Sequence, residues 1–397
     1  MKKKELSGKI SNGVDIYEES IAFHKKNKGK IAITSKVPLN DRHDLSLAYT
    51  PGVAGASSEI AKNPEAVWEL TSRGNLVAVI TDGSAVLGLG NIGPRAALPV
   101  MEGKCVLFKK FAGIDAFPIV LKTQDVDTFV NTAKELSFSF GAINLEDISA
   151  PRCFEIEERL KAELDIPVMH DDQHGTAIVV SAGLTNAFKI TGNSFGKAKI
   201  LINGAGAAGV AILKMLVSLG AKDILIADSK GIISTDRTDL SPIKKNLLAL
   251  TNPHEIHGTL SDGIKDREVF IGVSVGNVLT KEMVMSMAKD PIIFALANPT
   301  PEIMPDVAKE AGAFIVASGR SDFPNQVNNV LAYPGIFRGA LDARAPKITD
   351  AMKLSAVSAL ASCVPSPSPD CIIPDVFDTR VVEVIASAVL KASTSNQ

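Results

Sequence analysis

Residues 204–209 read GAGAAG, between the apolar run AKILIN and a helix-like stretch, and a second apolar run, DILIAD, ends at Asp228 nineteen residues past the last glycine. Strand, glycines, helix, strand and acid in that order constrain the chain to a Rossmann-type βαβ unit. Gly204 allows the tight turn, Gly206 lets backbone approach a pyrophosphate, and Gly209 lets the helix pack closely on its strand. The amides of Ala205, Ala207 and Ala208 then sit at or beside the helix N-terminus, where unpaired N–H groups attract phosphate. Asp228 is placed to accept from a ribose 2′-hydroxyl, which favours NAD over NADP; Ser229, Lys230, Lys244 and Lys245 offset that preference if they line the same pocket. The alternative is a tight helix–strand contact that holds no ligand.

The rest of the chain repeats the same alternation. Apolar runs NLVAVIT, CVLFKKF and FPIVLK in the first half, and KILIN, DILIAD, VFIGVS, IIFALAN and AFIVAS in the second, alternate with helical patterns. This is an α/β pattern of parallel sheets covered by helices on both faces. A chain of 397 residues is long enough for two cores. We expect two domains, one spanning 1–170 and a Rossmann-type domain spanning 171–329, with 330–397 returning to the first as helices. The net charge of −2, dispersed Lys and Arg, one Trp and three Tyr exclude a nucleic-acid footprint. No apolar run approaches the roughly 18 residues of a membrane span, MKKKEL leads into no apolar signal core, and four cysteines lack CxxC spacing. No membrane partner and a reducing cytoplasmic setting follow. Cys363 and Cys371 flank a proline-rich turn and read as small, partly buried residues.

Two acidic clusters carry chemical potential. In INLEDIS, Glu146 and Asp147 end an apolar stretch, and the adjacent carboxylates either flare into solvent or share a cation. In IPVMHDDQHGTA, Asp171 and Asp172 precede a helix entry, and the simplest role for Asp172 is to cap a helix beginning near Thr176. His170 and His174 are four apart, yet the HExxH glutamate is missing and Gly175 with the strand-like IPVM places His170 off a helix. GLGNIG at 88–93 also fits GxGxxG, but the following run ends in Lys109, Lys110 and Phe111 rather than an acid. It reads instead as backbone that approaches a substrate or its own neighbours closely.

With these residues in view, the chain resembles a malic enzyme of the short bacterial type. The matching stretches are LSLAYTPGVA, TDGSAVLGLGNIGPRAALPVMEGK, NLEDISAPRCFEIE, HDDQHGTA, GAGAAG, LANPTPE and NQVNNVLAYPGIFRGALD, in order along nearly the whole chain. The long bacterial form carries an acyl-phosphate-transferase-like extension, and the resemblance here stops short of one. The resemblance implies oxidative decarboxylation of (S)-malate to pyruvate and CO2 with reduction of NAD or NADP, decarboxylation of oxaloacetate, and a homodimer. The segment 1–170 would then bind substrate and metal.

By the same resemblance Glu146, Asp147 and Asp172 are ligands of Mg²⁺ or Mn²⁺, three hard oxygen donors that leave room for substrate and water. Lys104 matches the general base, Asp171 its orienting partner, and Tyr49 the general acid. Read alone, Lys104 is an ordinary surface lysine and Tyr49 a half-buried aromatic before a turn. A lysine acts as base near neutrality only with a lowered pKa, which burial and a cation supply and Asp171 partly opposes. Asn298 and Asn329 match asparagines near cofactor and substrate, though each is also an ordinary turn former. One position departs from the animal-type pattern: Ala85, after Ser84, stands where that pattern has a substrate-gripping arginine. The grip is then expected from Asn298, Asn329 and backbone near Gly90. Two rivals remain: malolactic conversion on retained cofactor, and a nucleotide-sensing protein without turnover.

Overall fold

The computed structural model describes residues 15–394. Its N-terminal arm comprises α1 (Ile16–Asn27), α2 (Arg42–Ala48), α3 (Val53–Lys62) and a single turn, α4 (Val67–Leu70), and none of these four has a buried residue. Asp15 and Asp41 cap α1 and α2 by accepting backbone N–H groups of the first turn.

Beyond the arm the alternation read from sequence becomes two sheets. The first follows β1 (Leu76–Thr81), α5 (Pro94–Ala112), β2 (Asp115–Val120), α6 (Val126–Ser137), β3 (Ala142–Leu145), α7 (Arg152–Glu163) and β4 (Val168–His170). Its order is β2-β1-β3-β4, all parallel. Without an intervening linker, β4 runs into α8 (Asp171–Thr191). The second sheet is built from β5 (Lys199–Asn203), α9 (Ala207–Ser218), β6 (Asp223–Asp228), β7 (Gly231–Ile232), α10 (Pro242–Leu247), α11 (Leu260–Gly263), β8 (Val269–Gly272), α12 (Lys281–Met285), β9 (Ile292–Ala295), α13 (Pro305–Glu310) and β10 (Ile315–Ser318). Its order is β10-β9-β8-β5-β6-β7, parallel apart from the antiparallel β6–β7 pair. The run CVLFKKF is not a strand: it is the last two turns of α5, whose Cys105 and Phe108 face the core. Apolar residues at a helical spacing resemble a buried strand when the run is short.

Apolar strands buried on both faces need cover on both sides, and three clusters supply it. A central core joins the two sheets: Val77, Val79 and Phe108 share it with Ile200, Ile226 and Phe294, and α8 supplies Ile178, Val180 and Leu184. Separate clusters fill the outer face of the first sheet around Phe129 and Leu145, and of the second around Phe270 and Ile293. The C-terminal helices α14 (Tyr333–Asp342), α15 (Asp350–Ser362) and α16 (Arg380–Thr394) return to this core. There Tyr333 and Phe337 pack edge-on against Phe108 of α5, with ring centres 4.8 and 5.3 Å away. Asn186 of α8 donates to the main-chain oxygens of Ala361 and Ile372, tying the returning segment to the helix between the sheets. All four cysteines are free thiols; Cys371 is exposed rather than partly buried.

Candidate active site

Parallel sheets place their functional loops at the carboxyl ends of the strands, and the acidic clusters fall there. Glu146 and Asp147 follow β3, and Asp171 and Asp172 follow β4 at the start of α8. One carboxylate oxygen from each of Glu146, Asp147 and Asp172 lies within 4.8 Å of the others. Asp147 adopts φ +54°, in the left-handed region that a residue with a Cβ seldom occupies. Its N–H donates to Asp172 Oδ2 at 2.8 Å, and its carbonyl accepts from Ala85 N–H at 2.9 Å. The capping role expected of Asp172 fails: α8 begins at Asp171, not near Thr176, its N-cap is His170, and the Asp172 carboxylate reaches across to β3's end. All-oxygen donors in one place fit a hard divalent cation.

Lys104, two turns from the end of α5, is buried among these carboxylates. Its Nζ lies 2.7 Å from Asp171 Oδ2 and 2.9 Å from Glu146 Oε1, and 4.3 Å above the Tyr333 ring centre. Burial penalises the ammonium, but Asp171 and Glu146 outweigh it and hold the Lys104 pKa well above its usual value. The lowering expected of a base rests on burial together with a cation; in the chain alone burial acts in that direction and the two carboxylates prevail. Burial pushes the carboxyls of Glu146, Asp171 and Asp172 upward, against the pull of Lys104. Asn144 donates to Glu146 at 2.8 Å and Asn329 to Asp171 at 2.5 Å. Gly175 permits this arrangement, since a Cβ there would meet Asp171 Oδ1 at 1.9 Å.

The same cavity, about 730 Å³, is lined by Lys104, Glu146, Asp147, Asp172, Asn298 and Asn329 and by Gly206, Ala207 and Ala208 of the glycine loop. The glycines divide their work. A Cβ on Gly209 would meet Gly204 O at 1.7 Å, so Gly209 serves helix–strand packing, while nothing lies within 4 Å of a Cβ on Gly206. That open space, beside the first turn of α9, fits a pyrophosphate. Gly88 of the second GxGxxG would clash with Asn298 O at 2.4 Å if it carried a Cβ, which makes it a packing glycine against the Asn298–Pro299 corner. Gly88 and Ala85 line the cavity.

At the end of β6, Asp228 is engaged on both oxygens. It accepts from Arg237 at 2.8 and 3.2 Å, from Lys244 at 2.5 Å and from Lys230 N–H at 2.9 Å. Burial alone would raise its pKa, but these donors hold it at about 2. Arg237 escaped the sequence reading because nothing in TDRTD marks it as Asp228's partner. Tyr49 is not brought to the cavity: it ends α2, two-thirds exposed, on the arm.

This geometry meets independent likenesses. Residues 28–161 match the family described as Malic enzyme, N-terminal domain, and residues 173–394 match Malic enzyme, NAD binding domain. The chain belongs to the malic enzyme family. It is 58% identical to the bifunctional malic/malolactic enzyme of Bacillus subtilis, over 96% of this chain and 93% of that one. It is 45% identical to the NADP-dependent malic enzyme of Halomonas elongata, over 96% and 94%. The crystal structure of NAD-dependent malic enzyme from Thermotoga maritima superposes with a TM-score of 0.91 at 51% identity, covering 94% of this chain and 98% of that one. Both cofactor classes thus occur among the malic enzymes this chain resembles, and its second domain is of the NAD-binding kind. Among the described residues no helix is long and apolar enough to cross a membrane.

Proposed function

We propose that this chain oxidises and decarboxylates (S)-malate to pyruvate and CO2, reducing NAD⁺ or NADP⁺, and that it also decarboxylates oxaloacetate. The observation carrying this reading is that a three-carboxylate cluster, a buried lysine and the glycine loop line one cavity. Glu146, Asp147 and Asp172 would hold Mg²⁺ or Mn²⁺. When bound, the cation supplies Lewis-acid polarisation of substrate oxygens and the nicotinamide accepts hydride.

Lys104 and Asp171 handle the hydroxyl proton as a pair. The ammonium proton lies on a 2.7 Å hydrogen bond to a carboxylate whose own proton affinity is raised by burial. Asp171 so orients the Nζ, which faces the cavity and, as the neutral amine, accepts the hydroxyl proton from malate. Asn329, through Asp171, keeps that pair oriented, and Asn298, on the cavity wall, would border the nicotinamide.

Asp228 retains its charge and so favours NAD⁺. Arg237 and Lys244 on its two oxygens supply cations that tolerate a 2′-phosphate, and we assign both cofactors to this site. The arm, with exposed Ile21, Phe23, Leu39 and Leu47, is the surface we assign to a homodimer. Tyr49 can serve as acid only if the arm reaches a cavity from a position other than the one it takes in the single chain. A cytoplasmic setting agrees with the free thiols.

Malolactic conversion is a second reading, favoured by the name of the Bacillus subtilis relative. Absorbance at 340 nm with malate, Mn²⁺ and each cofactor, together with lactate assay, separates the alternatives. Malate-dependent NAD(P)H is expected. Lactate without net NAD(P)H would replace the first reading with the second, and cofactor binding without either product would refute both.

A further inference from the structure

We propose that Glu157 of α7 is a positioning residue, holding the first turn of α8 so that Asp172 faces Glu146 and Asp147 while Asp171 faces Lys104. This rests on the metal reading of the cluster. Glu157 touches none of those five groups; it acts from behind the helix that presents two of them.

Glu157 is 5% exposed, and its carboxylate gathers the segment that surrounds Asp171 and Asp172. It accepts from the main-chain N–H of His170 at 3.0 Å, from Gln173 Nε2 at 3.4 Å and from His174 Nε2 at 2.9 Å. Lys161, one turn along α7, lies 2.6 Å away and balances its charge. The residues so held stand immediately before and after the two aspartates. On a helix with 3.6 residues per turn, His174 lies about 200° around the axis from Asp172. One anchor therefore fixes the far side of the turn while the near side meets the cavity.

Such an anchor is needed because α8 has no side-chain cap: His170 at its N-cap makes no capping hydrogen bond. An N-terminal turn without a cap frays, and its first N–H groups lack partners. Glu157 satisfies the His170 N–H and sets a negative charge against the positive end of the helix dipole. His174 reinforces the hold, its Nδ1 lying 3.5 Å from Lys353 of α15 while Nε2–H donates to Glu157. A carboxylate ligand whose backbone is free to rotate by a fraction of a turn would lose the convergence that brings three oxygens within 4.8 Å. Removing a partner bonded directly to a metal ligand typically costs about 10- to 100-fold in metal affinity; Glu157 bonds the residues flanking the ligands, which puts its effect at the lower end of that range.

The test is Mn²⁺ binding followed by the electron paramagnetic resonance of free Mn²⁺, on wild type and on Glu157→Gln, Glu157→Asp and Lys161→Gln. Gln keeps the shape but turns a donor toward Lys161; Asp keeps the charge but withdraws it by one methylene. Positioning predicts that both Glu157 variants weaken Mn²⁺ by about tenfold or more, with NAD⁺ affinity unchanged. Lys161→Gln leaves the His170 and His174 bonds in place; losing the partner of a buried carboxylate lowers the melting temperature, but Mn²⁺ affinity should fall clearly less than in either Glu157 variant. If either folded Glu157 variant binds Mn²⁺ as wild type does, or Lys161→Gln loses as much as Glu157→Gln, the proposal is overturned. Wild type that binds no Mn²⁺ would overturn the metal reading itself, a different and recognisable outcome.

Discussion

Replacing Asp172 by Asn separates the roles of this residue, because the amide keeps a hydrogen-bonding oxygen and loses the charge. The 2.8 Å bond from Asp147 N–H survives, since the Asn oxygen accepts it equally well. Two unit charges at the 4.8 Å limit of the cluster repel by about 3.5 kcal/mol at an effective dielectric constant near 20. Asp172 is a third exposed, so solvent screening discounts that value, to roughly 1–2 kcal/mol. The metal-free variant should therefore melt at or slightly above the wild-type temperature. Metal reverses the ranking. Mn²⁺ at one hundred times its dissociation constant stabilises wild type by about 2.7 kcal/mol, a shift of roughly 5–10 °C for a domain of this size. A variant weakened about a hundredfold receives about 0.4 kcal/mol at the same concentration, a shift of roughly 1 °C. Thermal melts across a Mn²⁺ series, with and without NAD⁺, measure both halves. A variant with the full wild-type Mn²⁺ shift and malate turnover would remove Asp172 from the metal.

Lys104→Met should lower malate oxidation by roughly 10²-fold or more, the scale of a lost general base; wild-type kcat in that variant would sink the assignment. Arg237→Gln should raise the KM for NADP⁺ by about tenfold and leave NAD⁺ within about twofold, read as paired kcat/KM values; equal losses for both cofactors would refute the selectivity argument. His174 should make the fold acid-sensitive. Burial lowers its pKa to about 4, with Lys353 and Lys161 adding to that and Glu157 opposing, whereas the unfolded imidazole titrates near 6.5. The unfolded state thus binds the proton first as pH falls, and stability declines by roughly 2 kcal/mol between pH 7 and pH 5. Urea unfolding of wild type and His174→Gln at the two pH values checks this, since the Gln variant should lose most of that slope.

The five parallel strands of the second sheet were legible because each is an apolar run rich in β-branched residues, and a strand buried on both faces needs nothing else; β7, two residues long, carries no such run. The glycine loop was legible because its constraint is local: Gly204 and Gly209 meet each other within six residues of chain. CVLFKKF misled because seven residues cannot distinguish a buried helix face from a strand, and the deciding residues, Pro94 at the helix start and Gly113 at its end, lie outside the run. Asp172's cap role failed for a related reason. A helix start was inferred from Gly175, but that glycine is inside α8, where it admits the folded-back Asp171 side chain. The partners Arg237 and Glu157 were invisible. Each acts across a gap of nine to seventeen residues on another element, and sequence holds no sign of which way a charged side chain turns.

What connects the legible parts to the hidden ones is α8. Its first turn presents Asp171 and Asp172 to the carboxyl end of the first sheet, its middle packs Ile178, Val180 and Leu184 into the core shared with the second, and Asn186 fastens the returning C-terminal segment. α9, which begins at the glycine loop, packs along the same helix. The distance from carboxylate cluster to glycine loop is therefore set by one continuous helix and its neighbour rather than by a flexible linker. Hydride transfer needs donor and acceptor carbons held near 3–3.5 Å, so the register between the two sheets bears directly on the chemistry. α8 is the element that both sheets share, and so the residues that fix its first turn bear on the chemistry although they touch neither substrate nor cofactor.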